Sequence, residues 1–189
     1  MGSSMSGCSS PIVIALDFND IDVAKLFVSQ LNPANCRVKV GKEMFTLFGP
    51  DWVKYLVDQG FDVFLDLKFH DIPNTVAKAV SAASKLGVWM TNVHASGGAD
   101  MIMAAKEAAL SVSKPPLLTA VTVLTSMDER QFSDVYNSTD ITNKVRSLAL
   151  LAQASGADGY IAKAFSGSPM TAIFAASLVG ALSPFCSCG

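Results

Sequence analysis

Apolar runs and helix-patterned segments alternate six times between Pro11 and Lys163 without a break in composition, and polar side chains gather where successive apolar runs end. These two observations predict an α/β chain of the (β/α)8 TIM-barrel type, incomplete, with about six of the eight βα units present. A doubly wound sheet collects its ligand at one switch point, whereas a barrel draws on every strand for a single mouth. Here Asp17, Lys39, Asp66 with Lys68, His94 and Thr125 lie at or near the ends of successive runs. No G-x-G-x-x-G follows the first run, which weighs against a dinucleotide fold.

Each element has its own signal. The continuous apolar run Pro11 to Phe18, closed by Asp17, suits a strand buried on both faces. Val23, Leu26, Phe27 and Leu31 recur at helical spacing from Asp20, and Pro33 and Asn35 end that helix. Arg37 to Gly41 is the second strand, with Arg37, Lys39 and Gly41 on one face. A helix from Phe45 to Gly60 is broken at Gly49-Pro50. Phe61 to Phe69 is the third strand, and Pro73 opens a helix to Leu86. Trp89 to Ala95 is a fourth strand with Asn92 and His94 on one face, followed after Gly97-Gly98 by a helix from Ala99 to Leu110. Pro116 to Leu124 is a fifth strand, Asp128 to Tyr136 and Asp140 to Ser155 are helical, and Ala157 to Ala162 begins a sixth. Trp52, Trp89, Cys36 and the methionines fall where core packing explains them, and His94 reads as a core or supporting histidine.

The 189 residues suit one domain; 50% hydrophobic and 16% charged content excludes disorder of the whole chain. A formal net charge of -2 supplies no basic field for nucleic acid or an anionic membrane. Cys8, Cys36, Cys186 and Cys188 lack paired ligand spacing, so no structural metal is expected and a reducing, cytoplasmic setting is. Residues 1–10 have neither a basic nor an apolar signal region and are expected to be a disordered leader. Gly2 and Ser6 fit a loose myristoylation pattern, with Cys8 placed for a second acyl chain, a match expected by coincidence.

The chemistry concentrates in Asp66 to Thr75, DLKFHDIPNT. Strand alternation puts Asp66 and Lys68 on one face with Phe64, and opposite charges on such a face are costly unless paired. Asp71 follows before the Pro73 helix. By itself the set also fits an ordinary exposed ion pair followed by an N-cap aspartate.

Taken with Ala15-Leu16-Asp17, Lys39 to Phe45, Asn92 to Gly98 and Val121 to Met127, the motif closely resembles the orotidine 5'-phosphate decarboxylase family in its bacterial form, in order from about Pro11 to about Tyr160. The resemblance implies a TIM-barrel homodimer that needs no metal and no cofactor. It implies that Asp17 holds a ribose hydroxyl. Lys39 would bind near the reacting carboxylate and a ribose hydroxyl while pairing with Asp66. Asp66 would sit against the substrate carboxylate, Lys68 would protonate C6 of the pyrimidine, and Thr125 would contact the base. Asp71 and Thr75 would cross to the partner's site. A sister enzyme, the Mg2+-dependent 3-keto-L-gulonate 6-phosphate decarboxylase, shares D-x-K-x-x-D but carries glutamate where Lys39 stands. A Schiff-base aldolase or a non-catalytic fragment are the other readings.

From Ala164 to Gly189 none of the 26 residues is charged, and the motif pattern stops near Lys163. The apolar window Met170 to Leu182 is short for a membrane span. Residues 164–189 are expected to be a non-matching tail, from a shifted frame or a foreign end, behind a partial barrel at 11–163. The family's Gly-Ile-Arg and Gly-Arg phosphate-gripping segments and its late Gln have no counterpart, so the 189-residue chain is expected to be inactive.

Overall fold

The structure is a computed structural model and describes residues 8–162. Six strands, β1 (Val13–Leu16), β2 (Arg37–Val40), β3 (Val63–Phe69), β4 (Met90–His94), β5 (Leu117–Val121) and β6 (Gly159–Ile161), form one sheet in sequential order, every neighbouring pair parallel. Helices α1 (Ile21–Val28), α2 (Lys42–Asp58), α3 (Pro73–Lys85), α4 (Ala99–Ala109), α5 (Glu129–Tyr136) and α6 (Ile141–Ala154) occupy the connections, with a 3-10 turn at Ala95–Gly97. Sequential parallel order with a helix in every crossover is the start of a β/α barrel. The expected alternation is reproduced element by element.

Local chemistry sets the boundaries. Asp20, Asp128 and Asp140 cap α1, α5 and α6 by accepting backbone N–H groups of each first turn. In α2 the backbone leaves helical geometry at Gly49 (φ 64°), where Pro50 removes a donor, so the expected break is a kink. β5 ends at Val121 rather than Leu124, and Thr125 lies in an exposed turn beyond it.

Alternating strand residues fill the layer between sheet and helices. Leu16, Val38, Val40, Val63 and Leu65 pack with Met44, Trp52, Val53 and Leu56 in one cluster; Val93, Leu118 and Ala120 pack with Val80, Ile102 and Phe132 in another. The intervening residues, Lys39, Asp66, Asn92 and His94 among them, therefore face away from the helices.

Residues 8–10 of the expected leader are described and pack on the body of the domain. Cys8 is buried, its N–H donates to Asp62 Oδ2 (3.2 Å) and its thiol to the Ala34 carbonyl (3.5 Å). The Arg37 guanidinium donates to the carbonyls of Cys8 and Ser10, pairs with Asp62 (3.2 Å) and lies 4.3 Å from the Trp89 ring centroid. A buried Cys8 is no acylation site, and half-buried Trp89 is a stacking platform rather than core. Cys36 does pack in the core, and burial raises its thiol pKa, with Cys8 adding to the effect. Gly2, Ser6 and residues 164–189 lie outside the described residues.

Candidate active site

β3 is not a regular strand where it carries its charges. Leu65 is in register with Thr91 and Phe69 with Val93, so β3 spends four steps where β4 spends two. Between these anchors Lys68 takes a left-handed backbone (φ 53°). That conformation costs a non-glycine residue about 1–2 kcal/mol, so the surroundings must hold it. Two bonds from β4 do so: the Thr91 hydroxyl donates to the Leu65 carbonyl (3.0 Å), and Lys68 N–H donates to Asn92 Oδ1 (2.7 Å).

The excursion turns the Asp66 carboxylate and the Lys68 ammonium toward each other. Lys68 Nζ donates to Asp66 Oδ1 (2.6 Å), Asn92 Nδ2 donates to the same oxygen (2.7 Å), and Lys39 Nζ stands 3.6 Å from Asp66 Oδ2. The Asp66 side chain is 12% exposed, so its charge is tolerable only because both oxygens meet donors or cations. Burial by itself pushes the carboxyl up; the hydrogen bonds from Lys68 and Asn92, with the charges of Lys68 and Lys39, outweigh it and hold Asp66 below the usual carboxylate range.

Glycine shapes the neighbourhood at two places. A Cβ on Gly41 would lie 3.9 Å from both Asp17 Oδ1 and Lys39 Nζ, so both side chains border the space over this glycine. At Gly97 a Cβ would collide with the Met101 side chain and come within 3.2 Å of the His70 ring. His70 packs against His94, ring centroids 5.3 Å apart. Burial, then the positive charges of His70, Lys42 and Lys68, lowers the His94 pKa, against a smaller opposing pull from Asp66. The neutral form of His94 is thereby favoured, and its ring packs beside His70.

The expected residues do not all converge within one chain. Lys39, Asp66 and Lys68 form one constellation, and Asp17 shares with Lys39 the border of the space over Gly41. Asp71 and Thr75 are exposed at the start of α3, and Thr125 is exposed beyond β5. Asp71 caps no helix: Ile72 occupies that position without a side-chain bond, and Asp71 Oδ1 accepts the adjacent Ile72 N–H (2.7 Å). Asn92, completely buried, is the residue sequence reasoning passed over. Its signal was available, a polar side chain on the inner face of the strand next to Asp66. Among the described residues no group of three or more His, Cys, Asp or Glu is placed to hold a metal ion, and no helix is long and apolar enough to cross a membrane.

A carboxylate between two ammonium groups, at the C-terminal end of a parallel β/α sheet, defines a barrel-type site suited to stabilising developing negative charge and delivering a proton. The comparisons carry this further. The chain belongs to the Orotidine 5'-phosphate decarboxylase / HUMPS family, whose model matches residues 10–181, past the point where the recognisable motifs stop. It is 57% identical over 157 residues to orotidine 5'-phosphate decarboxylase of Pectobacterium atrosepticum (82% of this chain, 64% of the relative). It is 59% identical over 157 residues to that of Pseudoalteromonas translucida (82% and 67%). The chain thus spans about two thirds of the length of the curated relatives it matches. Among solved structures, orotidine 5'-phosphate decarboxylase from Lactobacillus acidophilus superposes with a TM-score of 0.76 at 41% identity, covering 82% of this chain and 71% of that one. An uncharacterized conserved protein from Geobacillus kaustophilus gives 0.75 at 39%, covering 80% and 73%.

Proposed function

We propose that this chain carries the reacting half of a site that decarboxylates orotidine 5'-monophosphate to UMP in pyrimidine biosynthesis. The observation that carries the reading is Asp66 held between Lys39 and Lys68, with Asn92 on the oxygen that Lys68 also uses. With the substrate carboxylate set against Asp66, two like charges ~4 Å apart at an effective dielectric near 20 repel by about 4 kcal/mol. That repulsion disappears as the C6–carboxyl bond breaks and neutral CO2 leaves. The electron pair stays on C6, where the ring carbonyls delocalise it poorly, and the Lys68 ammonium stabilises it without reorganising. Lys68 Nζ then transfers its proton to C6 and is reprotonated from solvent. Asp17 takes a ribose hydroxyl, and Thr125 takes the base.

In this reading Asp71 and Thr75, exposed at the start of α3 near the exposed Ile72, serve a second copy's site, and the functional unit is a homodimer. The location that goes with this chemistry is cytoplasmic. Lys39 favours a metal-free reaction over the Mg2+-dependent sister activity, because its ammonium stands where that enzyme carries a glutamate. The test follows the loss of orotidylate absorbance, with and without EDTA, in the 189-residue chain and in a version continued with the remaining portion of the Pectobacterium relative. EDTA-insensitive turnover is expected in the continued chain, at least about 100-fold above the 189-residue chain, since loosely positioned groups lose that much per ångström. EDTA-sensitive turnover, or none in either protein, would overturn the reading, and equal rates would overturn the need for further βα units.

A further inference from the structure

The buried amide of Asn92 stands out because both its ends are committed to the site from outside β3. Its Oδ1 accepts the Lys68 backbone N–H and its Nδ2 donates to Asp66 Oδ1, both at 2.7 Å. It therefore holds the main chain of one reacting residue and the side chain of the other with a single rigid plane. Regular pairing of β3 with β4 lapses between Leu65 and Phe69, so the Lys68 N–H is the kind of buried donor the ladder would otherwise satisfy. The left-handed φ of Lys68 is the conformation that aims this N–H at β4 while its side chain returns to Asp66.

We propose that Asn92 is the positioning residue of this site: it stabilises the left-handed turn at Lys68 and, through the same amide, sets the orientation and charge state of Asp66. Few side chains can replace it. Leucine matches its size with neither polar end; aspartate keeps the acceptor for Lys68 N–H but turns a carboxylate oxygen toward Asp66; a shorter side chain leaves both partners unmet in a buried place. Asn92 touches no reacting atom in this scheme. It acts through Lys68 and Asp66, and only the catalytic consequence rests on the decarboxylase reading.

The experiment uses the 189-residue chain with 13C-carboxyl-labelled aspartate and compares wild type, Asn92→Asp and Asn92→Ala. In Asn92→Asp the Asp66 titration midpoint is expected to move up by at least one unit, a tenfold gain in proton affinity, with the Lys68 amide still protected from hydrogen exchange. In Asn92→Ala, exchange at the Lys68 amide is expected to quicken at least tenfold while the amides of Leu65 and Val93 hold their rates. If either variant fails to fold, Asn92→Ser is measured in its place, and a faster Lys68 amide is again expected. An Asp66 midpoint unchanged in Asn92→Asp, or a Lys68 amide that quickens no more than Leu65, overturns the proposal. In the continued chain, Asn92→Ala should lower kcat at least thirtyfold with KM within threefold; a rise confined to KM counts against it. Failure of the continued chain with Asn92 intact to turn over orotidylate while the titration and exchange shifts appear would sink the decarboxylase reading and leave the positioning role standing.

Discussion

Replacing Asp66 by asparagine changes the site by one charge and almost no volume. In the wild type one carboxylate meets Lys68 Nζ at 2.6 Å, Asn92 Nδ2 at 2.7 Å and Lys39 Nζ at 3.6 Å. Asparagine keeps an acceptor for the first two but leaves two ammonium groups facing each other over a neutral amide. Hydrogen bonds to a charged group are worth about 1.5–3 kcal/mol and neutral ones roughly half that. The partial exposure of both lysines screens their repulsion. Together these give an expected loss of about 2–4 kcal/mol at pH 7 for Asp66→Asn. Urea denaturation of both proteins from pH 7 downward measures it. Because folding lowers the Asp66 pKa, the wild type's advantage is fully present above the unfolded carboxylate value near 3.9 and is lost as pH falls through the folded value. The two stability curves should therefore converge in acid below about pH 4. An Asp66→Asn protein as stable as wild type at pH 7, or a gap that persists unchanged in acid, would refute this account of the pairing.

Other outcomes follow from the same geometry. In the continued chain Lys68→Ala should abolish turnover while UMP binding stays within tenfold, as measured by thermal-shift titration, because the ammonium matters most where charge develops; near-normal kcat would remove Lys68 from the mechanism. His94 is held in its neutral form by folding, so its contribution is fully present above about pH 6.5 and is lost as pH falls below that. The wild type should thus lose more stability between about pH 7 and 5 than His94→Gln does, and parallel profiles would contradict this. Arg37→Ala removes the Asp62 pair, two carbonyl contacts and the Trp89 stack. It should cost about 2–4 kcal/mol and expose Cys8 to maleimide at least tenfold faster. A protected Cys8 in that variant would show that the segment holds without its arginine.

Periodicity read the order and type of every element, with ends off by up to three residues at β1, α1, α2 and β5, because each strand buries alternate side chains under its own helix and each helix begins at an aspartate, a proline or a glycine. The same alternation put Asp66 and Lys68 on one face but concealed how they meet. An irregular stretch with two extra residues looks like uninterrupted strand until the partner's register is known, and nothing in a lysine announces a positive φ. Asn92 was placed on the inner face of its strand but given no role, since its two bonds to Lys68 and Asp66 exist only across the pairing. Arg37 was placed on the right face, yet its partners include backbone carbonyls at Cys8 and Ser10, far off in sequence and invisible to composition. Thr125 was misplaced by extending an apolar run past the point where the ladder stops. Asp71 and Thr75 were read from the resemblance, and a single chain shows only that they face outward.

The irregularity in β3 also separates what the strand does for the sheet from what it does for chemistry. Pairing leaves the ladder after Leu65 and rejoins it at Phe69, opposite residues only two apart on β4. Two residues fewer in between would restore an unbroken parallel strand with the same anchors, the same buried Val63 and Leu65, and no charged arch at all. In terms of pairing, the arch is an insert of two residues in an otherwise continuous ladder: the sheet needs Leu65 and Phe69 as anchors, and the charges of Asp66 and Lys68 belong to the excursion between them.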